Sequence, residues 1–236
     1  MRFAGKVAIV SGGTGGLGRS VSLALLSEGA KVVVTFRQQE QFEQLKKMAG
    51  VGRSLEGYTA DVTDPAQVSR LVDQVVSASG RLDALVNTVG AYAGGVPLWD
   101  VDPDLFDSML ALNLKSGYIL ARAVVPVMLQ KKSGAIVDVV AKAAVDHAAG
   151  ASAYAASKAG ALAMMDSLAA DVKGTGVRVN SVLPSIIDTE VNRRAMPNAD
   201  FTKWPKPEEI AKVILFLLSD DAKVIHGAAV PVYGDS

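Results

Sequence analysis

The feature that most constrains this chain is its alternation of short, β-branched apolar runs with longer stretches of helical character. The runs fall at 7–10, 31–36, 55–59, 84–87, 135–140, 178–183 and 228–232, and the helical stretches near 19–28, 39–48, 65–79, 103–130, 152–173 and 207–219. Val32-Val33-Val34 is apolar at every position, not every second one, which implies a strand buried on both faces. Strand–helix alternation then implies a parallel sheet covered by helices, and right-handed crossovers make it a doubly wound α/β sheet of about seven strands. One domain spanning 1–236 is expected, because such folds often reach roughly 250 residues undivided. The irregular stretch 186–205, with Pro197 and Pro205, is expected to cross the carboxyl ends of the strands as a substrate lid.

Composition narrows the function classes. Lysine plus arginine and aspartate plus glutamate each number 24, with no basic run, so a nucleic-acid partner is not expected. Cysteine is absent, which removes disulfides and thiolate metal sites and suits a reducing compartment. The chain enters the strand at 7–10 almost at once, with no earlier apolar segment suited to export or membrane spanning. The expectation is a cytoplasmic protein with a small-molecule partner, no membrane partner and no metal. His147 and His226 lack acidic or histidine partners at metal-ligand spacing, so surface or structural roles are expected for both.

Directly after the first strand comes Ser11-Gly12-Gly13-Thr14-Gly15-Gly16-Leu17-Gly18, followed by an amphipathic stretch. Glycines here allow a tight turn and close approach of a pyrophosphate, while the N–H groups opening the next helix face the anion. The second strand ends Thr35-Phe36-Arg37, where an NAD-binding chain commonly carries an acid for the adenosine ribose. A guanidinium there pairs with a 2′-phosphate, so NADP(H) is expected first, with NAD(H) as the alternative. The competing reading of Arg37 is an exposed loop arginine.

Tyr154 and Lys158 stand four residues apart in a small-residue stretch, so on a helix they share one face and can share one pocket. A neighbouring ammonium favours phenolate and draws the phenol toward proton-transfer range. Beside a dinucleotide turn, an acid of this kind suggests redox chemistry.

Together these residues resemble the short-chain dehydrogenase/reductase family over nearly the whole chain. Gly12, Thr14, Gly16, Leu17 and Gly18 resemble its cofactor turn, with Ser11 in place of the usual threonine. Asp61-Val62 resembles the adenine contact, Asn87-Thr88-Val89-Gly90 a variant of its Asn-Asn-Ala-Gly segment, and Asn113 its helix asparagine. Asn180-Ser181-Val182-x-Pro184, then Ile187 and Thr189, resembles the segment that closes over nicotinamide. The resemblance implies a Rossmann-type fold and an NAD(P)-dependent oxidoreductase. It implies Tyr154 as general acid, Lys158 lowering its pKa and binding ribose, and Asn113 positioning a water. It also implies a homodimer or homotetramer through the helices at 103–130 and 152–173, where Ala155, Ala159 and Ala163 leave a small-residue face.

One departure stands out. The family's catalytic serine falls thirteen residues before the tyrosine, and that position is Ala141. Losing an oxyanion donor can cost a few kcal/mol in a transition state built around it. Gly90-Ala91-Tyr92-Ala93-Gly94-Gly95, Ala141-Lys142-Ala143-Ala144 and the segment from Asn192 to Trp204 resemble quinonoid dihydropteridine reductases, which also lack that serine. This likeness implies a conjugated imine or quinonoid substrate. The alternatives are a carbonyl or 3-oxoacyl thioester reductase working without the serine, and, from another class, a cofactor-binding regulatory protein with little turnover. Tyr92, Phe201 and Trp204 are candidates for an aromatic face or for plain packing, and Lys142 for a contact in place of the serine or a solvated lysine. Asn87 and Asp138 are expected to make structural hydrogen bonds.

Overall fold

The computed structural model describes all 236 residues. Its centre is a parallel seven-stranded sheet in the order β3-β2-β1-β4-β5-β6-β7. The strands are β1 Val7–Ser11, β2 Lys31–Phe36, β3 Leu55–Thr59, β4 Ala84–Asn87, β5 Gly134–Val139, β6 Val177–Pro184 and β7 Ala229–Val232. The helices are α1 Gly16–Ser27, α2 Gln39–Ala49, α3 Pro65–Ser79, α4 Pro103–Leu110, α5 Ser116–Lys131, α6 Ser152–Asp171, α7 Glu190–Ala195 and α8 Pro207–Leu218. The order reverses beside β1 and β4, which opens a crevice at their carboxyl ends.

Alternate residues of each strand feed two separate cores. Ala8, Val10, Val32, Val34, Val86 and Val137 join α1, α2 and α8, whereas Val7, Ile9, Val33, Leu85, Ile136 and Val179 join α3, α5 and α6. Burial on both sides is why the central strands carry no polar alternation. Helix starts follow local chemistry. Asp64 accepts the N–H groups of Ala66 and Gln67 ahead of Pro65, and Asp102 accepts that of Asp104 ahead of Pro103.

Two expectations need correction. The single helix expected at 103–130 is divided by a π-helical segment, Ala111–Lys115, because Asn113 turns inward to bond a distant loop. Pro103–Lys131 is apolar enough by composition to span a membrane, yet here α4 packs on α6 and α5 on α3. The 186–205 stretch is not irregular throughout, since Thr189 caps α7 and a short 3₁₀ turn, Phe201–Lys203, follows.

At the amino ends of the strands Asp83 accepts the Val7 N–H at 2.9 Å, the Arg81 Nε and Nη2 at 2.8 Å each, and the Lys131 ammonium. Burial pushes this carboxyl up, but Arg81, Lys131 and the Val7 N–H outweigh it and hold the group below its ordinary value. Asp83→Asn is expected to cost roughly 2–3 kcal/mol, below the range for breaking a fully buried pair because Arg81 is 40% exposed. Urea unfolding checks this. A depressed carboxyl adds stability that is present above its free value of 3.8 and lost as pH falls through its folded value, so the difference should shrink in acid.

Candidate active site

The turn between β1 and α1 is built by exclusion of side chains. Gly12 has φ +68°, and a Cβ on Gly13 would lie 2.4 Å from Val34 Cγ1. On Gly18 it would lie 2.2 Å from the Gly12 carbonyl oxygen, and on Gly16 2.8 Å from the Thr189 methyl. Gly15 stands at the extended N-cap position of α1, and no side chain caps the helix. The first-turn N–H groups are therefore left for an external acceptor, which suits a pyrophosphate. Thr35 Oγ1 accepts the Gly12 N–H at 3.0 Å, tying the turn to β2.

Beside the turn lies a cavity of about 290 Å³ walled by Gly12, Thr14, Arg37, Val62, Gly90 and further residues. These five were legible in the sequence. Thr35, Phe36 and Thr88, which stand in the sequence segments singled out above, also line it, as do Gln41, Ala60 and Leu112, which sequence reasoning missed. Gln41 gave no local signal: its Oε1 accepts the hydroxyl of Thr14, 27 residues away in the chain. Phe36 is stacked on Phe42 at 4.7 Å, so its ring serves the core. Asp61 is not in the cavity wall: its carboxylate accepts the hydroxyl and N–H of Thr63. Those bonds, with a smaller effect of Arg37, hold its pKa below the ordinary value. Gly16, Leu17 and Gly18 support the turn from outside that wall, and Pro184 and Ile187 lie at and beyond the end of β6. The Ile187 carbonyl accepts the Asn192 side-chain amide, and Thr189 Oγ1 accepts the Asn192 N–H at the head of α7.

Asn113 and Lys158 meet at Gly90, in the far wall, and Tyr154 stands one turn before Lys158 on α6. Asn113 accepts the Ala91 N–H and donates to the Ala91 carbonyl, both at 2.9 Å, and donates to Ser157 Oγ at 3.0 Å. This reciprocal clamp joins the π segment to the loop after β4 and to α6. A Cβ on Gly90 would fall 2.8 Å from Asn113 Oδ1 and 3.2 Å from Lys158 Nζ, so glycine is what lets all three elements meet. Asn87 accepts the Ser11 hydroxyl at 2.6 Å and the Val89 N–H at 3.2 Å, and donates to Asp138 at 2.7 Å, a cross-strand role as expected.

The coupling expected between the phenol and the ammonium is corrected here. Lys158 Nζ donates to the Val139 carbonyl at 2.9 Å, not to Tyr154. Burial, together with Tyr92, pushes Tyr154 up to about 12, and burial pulls Lys158 down to about 8 against the raising effect of Asp138. Both residues stand on α6, but the lysine ammonium is committed to the end of β5 and the tyrosine ring to Tyr92.

The Tyr92 ring meets that of Tyr154 edge-on at 5.0 Å and is 70% exposed. Phe201 instead packs on Trp204 at 4.9 Å, with Arg193 over its ring, and Trp204 is buried. The three aromatics therefore do not form one face. Ala141 is buried in extended backbone just past β5. Lys142 is partly exposed: it lies over the Tyr233 ring at 5.2 Å, donates to the Ser236 carbonyl at 3.4 Å and stands 3.7 Å from the Asp146 carboxylate. His226 bridges β6 and α6, accepting from the Val179 N–H and meeting the Ala169 carbonyl.

Comparison with known proteins agrees with this geometry. The family profile "short chain dehydrogenase" matches residues 6–200. The 3-oxoacyl-[acyl-carrier-protein] reductase FabG of Thermotoga maritima is 32% identical over 99% of this chain and 98% of its own length. The D-threitol dehydrogenase of Mycolicibacterium smegmatis is 35% identical over 99% of this chain and 93% of its own length. Among solved structures, an NAD⁺-bound xylitol dehydrogenase superposes with a TM-score of 0.92 at 26% identity, covering 99% of this chain and 100% of that one. The chain belongs to the short-chain dehydrogenase/reductase family and is an NAD(P)-dependent oxidoreductase.

Proposed function

We propose that this oxidoreductase uses NADPH in preference to NADH to reduce a conjugated imine or quinonoid ring of the dihydropteridine kind. The observation that carries the reading is Ala141, buried and without a hydroxyl, at the position where the family's carbonyl reductases place a serine. A quinonoid C=N group takes its proton on nitrogen and builds less charge on an oxygen than a ketone does, so it needs that donor less. Tyr92, edge-on to Tyr154 and largely exposed, offers an apolar surface for a flat ring.

Bound cofactor supplies the hydride. Gly12, Gly16, Leu17 and Gly18 hold the pyrophosphate, Arg37 pairs with a 2′-phosphate, and Thr14, Val62 and Gly90 wall the adenosine side. Asn87, Pro184, Ile187 and Thr189 support the nicotinamide end. Tyr154 gives its proton to the substrate nitrogen, Lys158 binds ribose, and Asn113 orders the proton path. The segment 186–205 covers the bound ring, and copies pair through α5 and α6, where Tyr118 is half exposed.

A second reading, reduction of a ketone or 3-oxoacyl thioester, is favoured by the Thermotoga maritima relative. NADPH and NADH oxidation is measured with quinonoid dihydropterin, acetoacetyl thioester and simple ketones. The first reading expects turnover on dihydropterin alone and a lower KM for NADPH. Ala141→Ser is expected to raise ketone turnover by about tenfold or more, the scale of one restored donor. Ketone turnover by the unaltered enzyme, with none on dihydropterin, removes the pteridine reading, and cofactor binding without any turnover favours a regulatory protein.

A further inference from the structure

Three charged residues are buried in this molecule: Asp83, Asp138 and Lys158. Asp83 is satisfied by Arg81, Lys131 and the Val7 N–H at the opposite end of the sheet. The other two belong together. Asp138 sits at 1% exposure one residue before Val139, whose carbonyl receives the Lys158 ammonium.

The surroundings of Asp138 are organised around its carboxylate. Ser11, Asn87, Asp138 and Ser181 stand in register across β1, β4, β5 and β6, all of them buried. Asn87 Oδ1 is committed to the Ser11 hydroxyl and the Val89 N–H, so its NH₂ group must point the other way, into Asp138 Oδ1. The neighbouring strands thus bring a hydroxyl and an amide but no cation. Of the helices covering β5, α8 turns Glu208, Glu209 and Lys212 to solvent, and α5 does the same with Arg122, while Lys131 is taken by Asp83. Only α6 supplies a charge, that of Lys158. Tyr154 on the same helix stays neutral until about pH 12.

We propose that Asp138 is a positioning residue whose buried carboxylate is the counter-charge that keeps Lys158 an ammonium at neutral pH. The two groups form no direct ion pair, but both are buried, so their attraction acts through protein that excludes water, where it is weakly screened. Burial drives the lysine pKa down and Asp138 opposes this; burial leaves the Asp138 pKa raised above the ordinary carboxylate value, and Lys158 and the Asn87 amide are the groups that oppose that rise and favour its charged form. Removing the carboxylate therefore leaves Lys158 with burial alone, and it loses its proton at lower pH. The use of that ammonium for cofactor rests on the function proposed above; the charge coupling does not.

The test follows Lys158 directly. Protein is grown with isotope-labelled lysine, the Lys158 side-chain resonance is assigned by its loss in Lys158→Arg, and its titration is recorded by NMR. The midpoint is expected near pH 8 in the unaltered protein. In Asp138→Asn, which keeps the shape and the Asn87 bond, it is expected to fall by roughly one unit. Asp138→Ser should shift it in the same direction and serves if the asparagine variant does not fold. A midpoint unmoved in a folded variant overturns the proposal, because a merely structural acid would leave the titration of Lys158 where it is. NADPH and NADH binding is titrated on the same samples. Failure of the unaltered protein to bind either would sink the cofactor role of Lys158, whereas the charge coupling to Asp138 stands or falls with the resonance.

Discussion

Tyr154→Phe is expected to lower turnover by roughly a thousandfold and to leave cofactor affinity unchanged, the pattern of a lost general acid. The ring stays, so its edge contact with Tyr92 and its place on α6 survive, and only the proton donor is gone. Burial pushes the phenol up to about 12, so in the proposed role it carries its proton throughout the working range. The alkaline limb of the reduction rate should therefore not report the tyrosine. It should report Lys158, charged below about 8 and neutral above it, so the rate falls as pH rises through that value. Steady-state kinetics with whichever substrate of the panel reacts, together with NADPH binding by fluorescence, checks both halves. A loss smaller than about tenfold would mean that another group delivers the proton.

Gly18→Ala is expected to weaken NADPH binding by about a hundredfold and to cost roughly 1–3 kcal/mol of stability, the range for overpacking. Its new Cβ would stand 2.2 Å from the Gly12 carbonyl oxygen and 2.7 Å from Thr88 Oγ1. A main-chain oxygen cannot rotate away as a side chain does, so the turn itself has to open. Opening it spreads the N–H groups at the head of α1, which is where the pyrophosphate is expected to bind. Isothermal titration with NADPH, alongside thermal unfolding, separates the two effects. Full affinity in the variant would place the phosphate site elsewhere.

The turn and the sheet were legible because their causes are local. Glycine at 12, 13, 16 and 18 announces positions where a side chain is sterically forbidden, and the fold supplies the neighbour in each case: Thr88, Val34, Thr189 and the Gly12 carbonyl. The bounds expected for β2, β3 and β4 coincide with the observed strands, and in the buried β2 and β4 the apolar run ends where polarity returns. Site residues were less legible in proportion to their distance from their partners. In the sequence Asn113 is one position on a long helix, and nothing local shows that its amide clamps Ala91 and opens a π segment. Trp204 suits a ring platform as well as it suits packing, until the chain folds back and buries it.

The sequence by itself determined the layered α/β architecture, the dinucleotide turn and the sharing of one helix face by Tyr154 and Lys158. These follow from periodicity, chirality and steric size, which act within a few residues. Only the tertiary structure decided which way the lysine points, which carboxylate lies near it and how far burial displaces each proton. Those quantities depend on the distance between charges and on the water excluded around them, and both are set by strands and helices far apart in the chain.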